Sequence, residues 1–145
     1  MRQAPKYIQA AYVTIAALGL RVGEYLRLTD TDLLPHTIQV RIPGTKTAGS
    51  AATLKVDERL WPWIQRAVPS PLKYRWLRLH WVRACQAVKA GDLRLHDLRH
   101  CYGQWLSDEG VPEARIQVGM RHATASMTRR YTKQRDRGEN ARSRR

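Results

Sequence analysis

The sequence has few cysteines, no long apolar run and a shortage of acidic residues. Its 145 residues include two cysteines, Cys85 and Cys101, too few for a disulfide framework, so we expect both to be reduced. No apolar run approaches the roughly 18 residues that span a membrane. The opening residues MRQAPK lack the apolar segment of a secretory signal. These absences argue against membrane-spanning and exported proteins and favour a cytoplasmic one.

The acidic shortage leaves a large positive charge. Lysine and arginine number 26 against 12 aspartates and glutamates, a formal net charge of +14. Such a surface favours a polyanionic partner, most often nucleic acid, with an anionic membrane surface or ribosomal RNA as alternatives. At roughly 100–200 residues per domain, the length predicts one domain, and the 43% apolar content is enough for a packed core.

Apolar periodicity predicts several helices separated by turn residues. Glycine commonly ends a helix in the left-handed conformation, so Gly19 and Gly91 are predicted to end two of them. Pro62 is predicted to place a boundary or first-turn position inside its helix. Helices are predicted over 7–18, 21–28, 57–68, 74–89, 96–106, 112–119 and 125–131.

One stretch alternates in the manner of β-strands. TIQVRI, residues 37–42, is followed by turn residues at 43–44 and 48–50. We predict a three-stranded antiparallel sheet with strands over 32–34, 37 to about 45, and 51–56, and with Lys46 beside the final turn. The predicted fold class is therefore α+β and mainly α, a helical body with this small sheet.

Two clusters carry residues suited to chemistry. In HDLRH, residues 96–100, helical spacing places His96, Arg99 and His100 on one face, which leaves Leu98, Cys101 and Trp105 to face the core. In MRHATASMTRRYT, residues 120–132, His122 precedes Tyr131 by nine residues. Arg21 and Lys46 extend this polar set to four segments. Taken singly, each of these residues also fits an ordinary surface or packing role.

HDLRH also places two histidines four residues apart around an acid, as in some zinc peptidases. Asp97 is one methylene shorter than the glutamate such enzymes use, and no third ligand follows at a recognised spacing. The two cysteines, taken with His80 and His100, fit no common zinc site either. We therefore expect no metal and no cofactor, and a zinc peptidase is a distant alternative.

The order of these motifs resembles the tyrosine recombinases, the phage integrase family, from about residue 7 to residue 133. ALGLRVGE, residues 17–24, resembles the first arginine box, and TKT, residues 45–47, resembles the β-hairpin lysine. HDLRH is similar to the histidine-x-x-arginine box, and His122 and Tyr131 match the last histidine and the nucleophile in spacing. Five motifs in order are far more specific than any one.

The resemblance implies a helical catalytic domain that cleaves and rejoins DNA through a 3′-phosphotyrosyl intermediate, without metal or ATP. It implies that Tyr131 attacks the scissile phosphate. Lys46 would protonate the leaving 5′-oxygen, and His96 would assist proton transfer.

The same resemblance implies a phosphate clamp. Arg21 and Arg99 would grip the non-bridging oxygens, since a guanidinium matches phosphate bidentately, and His122 would hydrogen-bond the phosphate. Glu24 would orient Arg21 or a histidine without contacting the phosphate itself, and His100 would likewise act through its neighbours at the site. A domain of this fold that binds DNA but has lost cleavage is the main alternative.

The expected partner is double-stranded DNA, with no membrane association. Family members work as tetramers on paired sites. Residues 132–145 are basic and offer only Ala141 as an apolar anchor, so we expect a flexible tail after a catalytic domain over 1–131. The protein should then be a monomer when free and a tetramer on DNA, cytoplasmic and associated with the nucleoid.

Two departures from the family pattern stand out. The family usually has glycine before its last histidine, whereas this chain has Arg121. We expect Arg121 either to change the backbone geometry of that turn or to add a DNA contact. No counterpart of the family's N-terminal DNA-clamping domain precedes the motifs, so we expect an isolated catalytic domain or a fragment.

Overall fold

The computed structural model describes residues 4–44, 51–122 and 124–131. Helices make up most of this structure, and a small sheet is inserted after the second helix, as predicted. The helices are α1 Lys6–Ala17, α2 Val22–Arg27, α3 Trp61–Ala67, α4 Tyr74–Ala87, α5 Asp97–Asp108 and α6 Glu113–Gly119, followed by α7, described over 125–131.

The sheet is antiparallel, with β1 Leu33–Leu34, β2 Gln39–Ile42 and β3 Ala52–Lys55 in the order β1-β2-β3. This confirms the predicted three strands, although each is shorter than expected. Asp32 belongs to a 3-10 turn, Asp30–Asp32, that precedes β1. Val40 and Ile42 of β2 are fully buried against the helical body.

The main core forms around α1, which packs on α3 and α5. Ile8 and Ile15 of α1 meet Ile64 of α3 in one apolar cluster. Gly19 ends α1 with φ 56, as predicted, and a Cβ at this position would overlap the ring of Tyr102 on α5. Close contact at this glycine brings the arginine box next to α5.

The inward face of α5 differs from the prediction. Cys101 and Trp105 were expected in the core, but Cys101 is exposed and Trp105 is 55% exposed. The buried positions are instead Arg99, Gly103 and Ser107, which are spaced four residues apart and share a face. Leu98 does pack against the main core, as predicted. The prediction was wrong for Cys101 and Trp105, because α5 also turns a polar, small-residue face inward, where it meets Glu24 and the Tyr131 ring.

The end of α4 also differs. The helix finishes at Ala87, and Lys89 takes the left-handed conformation, with φ 54, two residues before Gly91. Leu77 and Cys85 form its buried face, whereas Val88, just after its last turn, is exposed. None of the helices in the described ranges is long and apolar enough to cross a membrane.

Candidate active site

Glu24 is the centre of a buried ionic cluster at the start of α2. Its carboxylate accepts hydrogen bonds from the backbone N–H of Arg21 at 2.7 Å and from Arg21 Nη1 at 2.9 Å. Burial raises the pKa of Glu24, but bonds from Arg121 and Arg21 outweigh it and hold the pKa below its ordinary value. A charged carboxylate therefore orients Arg21, whose side chain is still 40% exposed.

Arg99 lies at the inner face of α5 and is 2% exposed. Its Nη1 donates to the Gly19 carbonyl at 2.5 Å and lies 3.7 Å from Glu24 Oε2, while Nη2 donates to the Met120 carbonyl. Burial, helped by the charges of Arg21 and Arg121, lowers the pKa of Arg99 to about 10. The guanidinium is thus fixed and still charged at neutral pH.

Tyr131 is carried by α7 and is 4% exposed. Its hydroxyl lies 2.8 Å from Nδ1 of His100. The ring rests on Gly103, where a Cβ would come within 2.7 Å of it. Burial raises the pKa of Tyr131, so the phenol is protonated at neutral pH and needs a proton acceptor before it can act as a nucleophile.

Three histidines are linked to Tyr131 through ring contacts. The His96 and His100 rings meet edge to face with centroids 4.8 Å apart, and the His122 ring stacks on Tyr131 at 6.2 Å. Burial, with the nearby charge of Arg99, lowers the pKa of His122 to about 4. Burial also lowers the pKa values of His96 and His100. Neutral imidazoles can accept protons.

An open cleft of about 360 Å³ lies beside Tyr131. Two arginines on its wall give it the charge that favours phosphate. The lining residues are Arg94, His100, Cys101, Gln104, Arg130 and Tyr131.

The predicted site residues lie in one connected region, with one outside the described ranges. Ion pairs join Arg21 and Arg99 through Glu24, and ring contacts join His96, His100, His122 and Tyr131. Lys46 lies outside the described residues.

Two residues that shape the site were not predicted from the sequence. Thr128 is fully buried and its hydroxyl lies 2.9 Å from His122 Nδ1, so it sets the orientation of that ring. Gly103 leaves the space that Tyr131 fills. A glycine inside a strong helical pattern was the signal for the second, whereas a threonine in a polar segment gave none.

Arg121 corrects the expectation of a DNA contact. Its side chain is 0% exposed and ion-paired to Glu24 at 2.8 Å, so it cannot reach a phosphate on the surface. Its backbone has φ 53, the left-handed region that favours glycine. The turn therefore uses a left-handed conformation without a glycine.

Within the described ranges, no group of three or more His, Cys, Asp and Glu side chains is placed to hold a metal ion. The donors at the site are guanidinium groups, imidazoles and a phenol. This set suits an anion such as phosphate rather than a divalent cation.

Solved structures similar in fold to this chain include a transposon integrase and two recombinases. The Tn1549 transposon integrase in complex with transposon right end DNA is similar with a TM-score of 0.76 and 16% identity, covering 93% of this chain and 59% of that one. XerH site-specific recombinase bound to a palindromic difH substrate is similar with a TM-score of 0.74 and 21% identity, and the match covers 99% of this chain and 48% of that one. XerA recombinase is similar with a TM-score of 0.64 and 19% identity, and the match covers 88% of this chain and 55% of that one. The chain spans about half the length of these structures.

Comparison with curated proteins gives no match. The sequence matches the Phage integrase family over residues 2–137, a span that contains every motif described above and both sides of the buried ionic cluster. This match covers most of the sequence and agrees with the helical fold, and the chain belongs to the phage integrase family.

Proposed function

We propose that this protein is a site-specific recombinase or integrase that cleaves and rejoins double-stranded DNA through a 3′-phosphotyrosyl intermediate. Family membership and the DNA-bound Tn1549 integrase and XerH structures support this proposal. The formal charge of +14 suits a phosphate backbone. The contact between Tyr131 and His100 carries the chemical part of the proposal.

In this mechanism the Tyr131 hydroxyl attacks phosphorus while its proton passes to Nδ1 of His100, 2.8 Å away. The new phosphotyrosyl bond replaces the bond to the 5′-oxygen, which leaves with a proton from Lys46. His96, beside His100, assists the transfer. The diester is exchanged rather than hydrolysed, so the reverse attack by a 5′-hydroxyl can reseal the strand without ATP.

Charge on the phosphate is stabilised from the ionic cluster. Arg21, half exposed and anchored by Glu24, binds a non-bridging oxygen, and Arg99 supplies a fixed positive charge behind it. His122, held by Thr128, donates a hydrogen bond. Donors fixed before the reaction stabilise the transition state without reorganising, and none of these steps uses a metal ion.

We propose further that the active assembly is a tetramer on paired DNA sites and that the free protein is a monomer. The domain over 1–131 would carry the chemistry, and the basic tail over 132–145 would contact DNA phosphates. A cytoplasmic, nucleoid-associated location follows from this function.

Replacing Tyr131 with phenylalanine tests the proposal. The substitution removes the attacking oxygen and leaves the arginines in place, so covalent attachment should disappear while DNA affinity stays within about twofold. A library of nicked duplexes of random sequence, incubated with the protein in excess EDTA without ATP, provides the substrate. Adducts are detected on a denaturing gel and sequenced.

Tyr7→Phe is the matched control, because Tyr7 is an exposed tyrosine on α1, and it should form adducts normally. An adduct with Tyr131→Phe would disprove the role of Tyr131. Absence of adducts with the native protein, despite DNA binding, would favour the alternative in which the fold binds DNA and cleavage is lost. A requirement for divalent metal would contradict the mechanism.

A further inference from the structure

Arg121 combines an unfavourable backbone conformation with a buried charged side chain. It lies in the turn between α6 and His122, with φ 53 and a fully buried side chain. A left-handed backbone is unfavourable for a residue with a side chain. Burying a guanidinium is also unfavourable unless it is paired. Both features persist only where surrounding contacts compensate for them.

The contacts of Arg121 tie three segments together. Nη2 donates to Glu24 Oε2 at 2.8 Å and to the Gly19 carbonyl at 3.0 Å. Nε donates to Glu24 Oε1 at 3.4 Å, and Nη1 donates to the Gly119 carbonyl at 2.8 Å. The guanidinium therefore joins the end of α1, the start of α2 and the end of α6.

Arg121 shares its acceptors with the two arginines of the proposed phosphate clamp. The Gly19 carbonyl also accepts from Arg99, and the Glu24 carboxylate also pairs with Arg99 and Arg21. Arg21 Nη2 reaches the carbonyl of Arg121 at 3.4 Å. Three guanidinium groups thus surround one carboxylate, and the excess of positive charge is balanced when a phosphate binds.

We propose that Arg121 is a positioning residue of the active site, which acts through Glu24 and Gly19 to fix Arg99 and Arg21 relative to the turn that carries His122. This inference rests on the proposed recombinase function. Since the Arg121 side chain is buried, it affects phosphate geometry without contacting DNA. Its removal should therefore lower the rate of cleavage and leave DNA affinity unchanged.

Three substitutions in the full chain test this. Arg121→Met keeps the volume and removes the charge, Arg121→Gly suits the backbone and removes the side chain, and Arg121→Lys keeps the charge. We expect the Met and Gly variants to form adducts about tenfold to a hundredfold more slowly at saturating DNA, since small misplacements of reacting groups have effects of this size. The Lys variant should recover part of the rate. DNA affinity should stay within about twofold in all three.

Two controls separate positioning from general effects. Lys89→Gly changes an exposed residue with the same left-handed backbone, φ 54, and should leave the cleavage rate unchanged. Arg59→Met removes an exposed, ion-paired arginine from a remote turn and matches the loss of one positive charge. Every rate is measured at a temperature where circular dichroism shows each variant fully folded.

A second readout does not depend on activity. The Nε–H signal of Arg99 in nitrogen-15 NMR, assigned with Arg99→Lys, should exchange slowly in the native protein and in Lys89→Gly, and should broaden or exchange rapidly in Arg121→Met. Unchanged cleavage in Arg121→Met, or slow cleavage with an unchanged Arg99 signal, would overturn the positioning role. If the native protein forms no adduct, the proposed function fails, and the Arg99 signal alone decides the positioning role.

Discussion

Within the described part of the chain, two apolar clusters differ greatly in size and in what they hold. The larger, the body cluster, joins α1, α3, the sheet and α4 around residues such as Ile15 and Ile64. The smaller, the tyrosine cluster, has Ile116, Met120 and Tyr131 as its buried members. The proposed nucleophile therefore lies in the smaller cluster. Local stability follows buried apolar contact, so the body cluster maintains the fold while few contacts set the position of Tyr131.

Polar contacts connect the two regions. α5 packs Leu98 against the body cluster and Tyr102 against the tyrosine cluster. Between them, Glu24 pairs with Arg99 on α5 and with Arg121 beyond α6. The energy of a buried ion pair depends strongly on its geometry. A shift of the tyrosine cluster relative to the body cluster would therefore disturb the ion pairs at the site.

The strongest test of this comparison uses the same substitution in each cluster. Ile64 and Ile116 are both 0% exposed. Ile64→Ala should lower the free energy of unfolding by about 2–5 kcal/mol, because the cavity lies in a large, closely packed core. Ile116→Ala should cost about half as much, since a small cluster relaxes around the gap. Chemical denaturation measures both values.

Hydrogen exchange then separates local from global effects. Ile116→Ala should accelerate amide exchange over 125–131 and leave α1 protected, while Ile64→Ala should accelerate exchange throughout. Val118→Ala, an exposed position on the same helix, is the surface control. Equal losses of unfolding free energy in the two variants, with amide exchange accelerated throughout in both, would mean that the two clusters unfold together.

Acid should weaken the tyrosine cluster through His122. Its pKa is about 4 in the fold against an ordinary value of 6.5, so between these values the unfolded chain binds the proton and the folded one does not. The free energy of unfolding should therefore fall as pH drops from about 6.5 to about 4, with a contribution from His122 of about 3 kcal/mol at most. Denaturation at a series of pH values measures this slope.

His122→Asn should reduce that slope. A residual slope in the first variant is expected, because burial also lowers the pKa values of His96 and His100. Identical slopes in the native protein and His122→Asn would contradict the assignment.

Gly103→Ala tests the packing of Tyr131 directly. The added methyl group would lie 2.7 Å from the Tyr131 ring, so the ring must move, at a cost of about 1–3 kcal/mol. DNA affinity should persist while adduct formation falls, as measured with the nicked duplex library.

Gly119→Ala is the matched helical control, since the nearest atom to its Cβ would be 4.0 Å away. Replacing glycine by alanine there should be neutral or slightly stabilising. Normal adduct formation by Gly103→Ala would mean that the position of Tyr131 does not depend on this glycine.

Most helices and the sheet could be predicted because the residue patterns that specify them lie within short segments. Apolar periodicity over 7–18 predicted α1, and the alternation in TIQVRI predicted β2. Strand ends were less accurate, because strand length depends on the partner strand. The candidate residues on α5 and around His122 were found from spacing within one segment, which also fixes the ring contact between His96 and His100.

The inward face of α5 could not be predicted by the same reasoning. Helical spacing assigned Trp105 to the core, yet a polar face can be buried when distant residues neutralise it, as Glu24 does for Arg99. Thr128 was missed, and the buried role of Arg121 was not predicted, for a similar reason: their partners, His122 and Glu24, are specified by folding and not by local sequence pattern.

The sequence by itself determined the fold class, the family and the residue types at the candidate site, because periodicity and motifs lie within short segments and the order of the motifs along the chain does not depend on folding. Tertiary structure decided which way α5 faces, that Arg121 is buried against Glu24, and that the Tyr131 hydroxyl meets His100. These outcomes depend on contacts between residues up to 97 positions apart. Their energies come from burial and charge pairing, which exist only once the segments are packed together.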